Sequence, residues 1–214
     1  THNNKRFYLG FSGTNAFMGI GDAYKNTTDI AAHLTVGKWH HICMVADGGT
    51  ATYYLDGISR DTKTYTQSAV TNPDSNFFIG AYSNPGAMSY MEGDFDEVAI
   101  WDAALDAAAV LAVYNAGSPI NLNRDKGNYD NASDIVSWWR MGDNDSGAGN
   151  FVTDVIATDG EALHLPGIAA NYASVPDAAD LDGFVNFTIE AKGVTLADWT
   201  PAVYQGIISK YNTG

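Results

Sequence analysis

Disulfides are excluded from this protein at the outset, because the chain has a single cysteine, Cys43. Cys43 lies in the apolar run Ile42-Cys43-Met44-Val45 and reads as a small buried hydrophobe. The compartment therefore cannot be read from disulfide usage. Basic residues are also scarce, 11 against 25 acidic ones, for a formal net charge of −14. Nucleic-acid binders neutralise phosphates with Lys and Arg, so that class is excluded. An anionic membrane surface is disfavoured on the same ground. The acidity fits solubility, and a salt-rich or calcium-containing medium would screen it. No apolar run approaches the roughly 20 residues of a membrane helix, which argues against membrane insertion. There is no signal-peptide pattern and no initiator Met, so Thr1 reads as an internal or processed start. The five histidines form no metal-binding spacing. No H-E-x-x-H, G-x-S-x-G or P-loop pattern occurs.

What the chain does have is a series of short β-rich runs. Arg6 to Phe11, His40 to Met44, Ala51 to Leu55, Asn76 to Gly80, Val98 to Trp101, Ile135 to Trp139 and Phe187 to Ala191 are examples. Gly, Asn and Asp punctuate them, as in a sandwich or barrel. Trp39 to Ala46, the turn Asp47-Gly48-Gly49 and Thr50 to Leu55 predict a hairpin. His40 and His41 alternate along it, so one is expected to pack and the other to face solvent. Ala107 to Tyr114 predicts the one helix, capped by Asp106 and stopped near Gly117 and Pro119. Residues 118–133 are polar and without period, and read as a linker whose only aromatic is Tyr129. A single all-β, two-sheet antiparallel jelly-roll sandwich with one short helix is the expected fold, and 214 residues suffice for it. Trp39, Trp101, Trp138 and Trp139 lie in strand patterns and are expected in the core.

Several of these segments resemble one family, the laminin G-like or concanavalin A-like modules. Gly37-Lys38-Trp39-His40-His41-Ile42 followed by Tyr54-Leu55-Asp56-Gly57 is similar to its G-x-W-H-H hairpin. Gly93-Asp94-Phe95-Asp96-Glu97-Val98-Ala99-Ile100-Trp101, continuing to Leu105, is similar to its closing strand. The helix ending Tyr114-Asn115-Ala116-Gly117 resembles the family's C-terminal end. Ile135 to Asp143, Gly160 to Leu165, Asn171 to Asp177, Phe187 to Ala191 and Ile207 to Asn212 resemble its earlier strands. In the family, 134–214 would precede 5–117. Three explanations stay open for this rotated order: circular permutation, a window cut from a tandem array, or completion of a neighbouring subunit. The Trp-Trp-Arg-Met-Gly-Asp strand is similar to modules in phage structural proteins.

The resemblance implies three functional classes. The first is a non-catalytic structural or adhesive module of a virion, fibre or extracellular assembly, with other copies or other structural proteins as partners. The second is a carbohydrate-binding lectin domain, for which Tyr82, Asn84 and Tyr90 are the candidate contact residues around one loop. The third is a glycoside hydrolase using Glu92 and Glu97, from the Glu92-Gly93-Asp94-Phe95-Asp96-Glu97 run. Gly93 stands where that third family carries a β-former, which disfavours it. Asp96, with Asp94 as a neighbour, is the expected ligand of a structural calcium at the sandwich edge. Asn26, Asn131 and Asn186 fit the glycosylation pattern.

Overall fold

A computed structural model describes residues 7–20, 23–66, 76–84, 87–141, 163–167, 172–175, 181–196 and 205–210. Fifteen strands are formed among these described residues. They are β1 (Phe7–Ser12), β2 (Asn15–Ile20), β3 (Ala23–Asp29), β4 (His40–Asp47), β5 (Thr50–Leu55), β6 (Ile58–Thr64), β7 (Phe77–Ile79), β8 (Ala81–Asn84), β9 (Ala87–Tyr90), β10 (Glu92–Trp101), β11 (Ile135–Trp139), β12 (Leu163–Pro166), β13 (Ala173–Val175), β14 (Phe187–Leu196) and β15 (Gln205–Lys210). Sheet one runs β13-β7-β15-β1-β2-β3. Sheet two runs β11-β10-β14-β4-β5-β6, with β12 also pairing β10.

Strand alternation builds the core. Ile42, Met44 and Ala46 of β4 join Phe7, Leu9 and Phe11 of β1 in the cluster between the sheets. Cys43 and Val45 turn to the opposite face and join a second cluster. Phe7 and Phe187 meet across the sandwich at 5.5 Å, and Phe77 stacks on Trp139 at 4.9 Å.

Both sheets mix strands from before residue 117 and after residue 134 within this one chain. Phe7 of β1 pairs with Lys210 of β15, and Tyr8 with Ser209. Thr1 and Gly214 lie outside the described residues. Phe7 and Lys210, the outermost described residues, are partners across a ladder.

The expected hairpin and helix both form. β4 and β5 pair from Ile42↔Leu55 to Asp47↔Thr50. The helix α1 (Ala107–Tyr114) starts where Asp106 Oδ1 accepts from the Ala109 N–H at 2.7 Å. Its stop is Asn115 in the left-handed region, ahead of Gly117.

Residues 118–133 are not a linker. With α1 they roof the outer face of sheet two, burying Ile120, Leu122 and Tyr129 against Trp101, Val110 and Val113. Tyr129, buried completely, accepts from Trp101 Nε1 at 3.0 Å and donates to the Leu122 carbonyl at 2.8 Å. Thr188 of β14 ties the other end: its Oγ1 donates to the Ala103 carbonyl and accepts from the Leu105 N–H. Lys192 Nζ donates to the carbonyls of Val113 and Ser118 at the helix C-terminus. Polar composition read as a linker because the anchors are backbone carbonyls and one tyrosine.

The β8–β9 hairpin folds over the outer face of sheet one. Ser209 Oγ donates to the Ala81 carbonyl at 2.8 Å. Gly206 lies beneath it, where a Cβ would stand 2.6 Å from the Ala81 oxygen.

Candidate functional site

The acidic run on β10 is the densest set of chemistry-bearing residues singled out by the sequence. Phe95 and Val98 both point into the inter-sheet core, although they are three residues apart. Strict alternation cannot do this, so the pleat is broken between them while the register with β14 is kept, Asp96 opposite Gly193 and Val98 opposite Ala191. The break falls at Glu97, with φ at 49°, in the left-handed region that few non-glycine residues adopt. Asp96 and Glu97 consequently fall together on the outer side.

Glu97 is 2% exposed. Its Oε2 accepts from Trp138 Nε1 at 2.5 Å and its Oε1 from Arg140 Nε at 3.4 Å. Arg140 lies over the Trp138 ring, 5.1 Å from its centre. Burial, reinforced by the neighbouring Asp96 charge, pushes the Glu97 carboxyl up to about 7. The bonds from Trp138 and Arg140 oppose that rise and do not cancel it. Beside Glu97, a gap too tight for a water is lined by Glu190, Lys192, Val113, Ile120 and Leu122. Glu190 Oε2 in turn bonds His41 Nε2 at 2.7 Å, with both side chains buried. Burial, the largest influence on Lys192, lowers its ammonium.

This geometry does not serve glycoside hydrolysis. A retaining pair needs two carboxyls about 5–5.5 Å apart, and an inverting pair at most about 9.5 Å, with the substrate between them. Glu92 and Glu97 are five residues apart on one strand, which separates their backbones by about 15 Å. Glu92 is exposed, whereas Glu97 is sealed by Trp138 and Arg140.

The two aspartates find local partners. Asp94 Oδ1 bonds His164 Nδ1 at 2.5 Å across the β10–β12 ladder. Asp96 Oδ1 accepts the Glu97 N–H at 2.8 Å, beside the break in alternation. Among the described residues, no group of three or more His, Cys, Asp or Glu side chains is arranged to hold a metal ion.

Two of the three expected sugar contacts, Tyr82 and Tyr90, are engaged with other rings. Tyr82 is buried, its ring packed edge-on against Tyr8 and Phe17 at 5.2 and 5.4 Å. Tyr90 is half-buried and stacks on Tyr172 at 6.0 Å, and Tyr172 also meets Phe78 at 5.4 Å. Asn84 lies on β8, and its side chain is outside the described residues.

Two further expectations change. Both histidines of the hairpin are buried, His40 at 8% and His41 at 1% exposure, because each has a carboxylate partner. His40 Nδ1 bonds Asp56 Oδ2 at 2.9 Å, and Asp56 Oδ1 accepts the His41 N–H at 3.0 Å. Burial works to raise the Asp56 carboxyl. The hydrogen bonds from His40 and His41 and their charges outweigh it and hold the carboxyl below its usual value. Trp39 is not in the core; it is 52% exposed, just before β4 begins. Trp101, Trp138 and Trp139 are buried as expected.

The sequence did not single out Glu190 or Lys192. Glu190 meets His41 from 149 positions away, so no local pattern could have marked it. A charged residue at every second position of Glu190-Ala191-Lys192 was the available signal, since it places both on one face of β14.

These features define a two-sheet antiparallel β-sandwich module with one outer face roofed by its own helix and loop. A family model described as the concanavalin A-like lectin/glucanases superfamily, of laminin G type, matches residues 1–111. The chain belongs to that superfamily, as a laminin G-like module. Its laminin G-like branch is generally non-catalytic, while the superfamily also includes glycosidases. No curated protein and no solved structure gives a significant match.

Proposed function

We propose that this chain is a non-catalytic structural or adhesive module of a virion, fibre or other extracellular assembly, in contact with other copies or other structural proteins. The observation that carries this reading is the use made of Glu97. The carboxylate that hydrolysis would need is consumed in holding β11 to β10, through Trp138 and Arg140. Its would-be partner Glu92 lies about five strand residues away. The roof over sheet two fits the same reading, because helix and loop fill a face on which a ligand cleft could have formed.

A lectin is the second reading. The half-buried rings of Phe78, Tyr90 and Tyr172 favour it, since aromatic faces stack on sugars. Calcium held by Asp96 or Asp94 would accompany either reading.

The test is a hydrolysis assay on β-glucans together with a glycan array, each with and without a chelator. No released sugar and no retained glycan is the expected result. Hydrolysis abolished by Glu92→Gln would overturn the non-catalytic reading. Glycan retention lost in Tyr90→Ala would establish the lectin, and its loss in chelator would implicate calcium.

A further inference from the structure

The inward row of sheet two changes character at its last strand. Ile42, Met44 and Ala46 of β4, then Ala51, Tyr53 and Leu55 of β5, all join the cluster between the sheets. Among the described residues β6 ends this sheet. Its Lys63 lies opposite Ala51 and its Asp61 opposite Tyr53. Directly opposed residues of a ladder share a face, so both charges point to the inter-sheet side. There they pair, Lys63 Nζ to Asp61 Oδ2 at 2.8 Å, with the lysine side chain 27% and the aspartate 12% exposed. Thr62 and Thr64 take the outer side and are exposed.

The same strand carries a bulge. Asp61 stands opposite Tyr53 and Ser59 opposite Tyr54, so Arg60 is an extra residue with no partner position on β5. Its Nε is shielded from water without a hydrogen-bond partner.

In other respects β6 is an adhesive strand. It is seven residues long, and Ile58, Thr62 and Thr64 are β-branched. An end strand offers unpaired N–H and C=O groups to a strand from another molecule. An added strand would lay its own inward side chains beside Asp61 and Lys63 and take the ion pair out of water. The cost of drying two charges can exceed their mutual attraction. The bulge also breaks the even spacing of the outer hydrogen-bonding groups that an added strand would need. Filling the space beside Ala51 and Tyr53 requires no charge, since a valine at either position would continue the row from β5.

We propose that β6 is a closed edge: the inward Asp61–Lys63 pair, backed by the Arg60 bulge, prevents a second copy of the chain from adding a strand to sheet two. This goes beyond the assembly reading and holds equally for a lectin. It states which route copies of the chain do not take to one another.

Sedimentation velocity and amide hydrogen exchange of the intact chain test it, in about 0.3 M salt so that repulsion between copies of net charge −14 is screened. Asp61→Val/Lys63→Val should associate at a concentration about tenfold or more below the wild type, with exchange at residues 58–64 slowing as concentration rises. Asp61→Asn/Lys63→Gln removes the charges with little change of shape and should shift the same way by a smaller factor; it carries the test should the valine variant not fold. Asp61→Lys/Lys63→Asp exchanges the two charges and should behave as the wild type. So should Thr52→Val/Thr62→Val, which adds two apolar groups to the outer side of the same strands and leaves the pair intact. Uncharged variants that associate no more than the wild type overturn the proposal. It is equally overturned if Thr52→Val/Thr62→Val associates as strongly as they do, or if they associate with no slowing of exchange at 58–64, because another surface would then be responsible.

Discussion

Replacing Glu97 with Gln should make the protein more stable at alkaline pH and change it little at acid pH. In the fold, burial raises this carboxyl from an ordinary 4.5 to about 7. The folded chain therefore keeps a proton that the unfolded chain has already lost. The contribution is whole below about pH 4.5 and is lost as pH rises through 7. Carried well past 7, the loss is about 3 kcal/mol, at 1.36 kcal/mol per tenfold change in proton affinity. About 2.5 kcal/mol of it falls between pH 5 and pH 8.5. Glutamine keeps an acceptor for Trp138 Nε1 and cannot ionise. Urea unfolding of both proteins at pH 5, 6, 7, 8 and 8.5 is the assay, read as unfolding free energy. The gain from Glu97→Gln should grow by about 2.5 kcal/mol across that series. Asp56, whose carboxyl is held low, loses its contribution only as pH falls below about 4, outside this window. Parallel stability curves from pH 5 to 8.5 would refute the reasoning, because a solvated Glu97 has no reason to hold its proton.

Three further perturbations probe separate parts of the fold. Tyr129→Phe strands the Trp101 N–H and the Leu122 carbonyl in a buried layer and should cost about 2 kcal/mol, read as a fall in the urea midpoint. Gly206→Ala should cost about 1–3 kcal/mol and loosen the β8–β9 hairpin, seen as faster amide exchange at residues 81–84; unchanged exchange would mean that the hairpin is not seated on β15. A permuted chain with Lys210 joined to Phe7 through residues 211–214 and 1–6, and opened at the exposed turn 124–126, should fold to the same circular-dichroism spectrum, since the joined strands are already paired; an unfolded spectrum would contradict that pairing.

Local chemistry made part of this fold readable. Asp47-Gly48-Gly49 supplies the positive φ a tight turn needs, so the β4–β5 hairpin followed from the residues alone. Asp106 before an alanine run announced α1 in the same way. Trp39 misled because it stands within a strand-like pattern, while its burial depends on where β4 begins, one residue later. The roof was missed because the chain writes its attachment in Tyr129, Thr188 and Lys192, which reach partners 7 to 85 positions away. The candidate catalytic pair failed for a related reason. The break in alternation at Glu97 turns an apparent row of outward carboxylates into one sealed acid, two aspartates with local partners and an exposed Glu92, and the facing Trp138, 41 positions on, shows the sealing.

The pairing of β15 with β1 and β7 has a consequence for how the chain is made. β15 fills the middle of sheet one, yet it emerges from the ribosome some 200 residues after β1, about 10–40 s later at ordinary elongation rates. During that interval β1 and β7 each have an open edge with no strand to cover it, and their apolar faces have no completed partner sheet. Newly made copies released near one another would therefore carry matching unfilled slots. Synthesis of this module should be sensitive to crowding of nascent chains and to the holding chaperones that keep such edges apart until the last strand arrives.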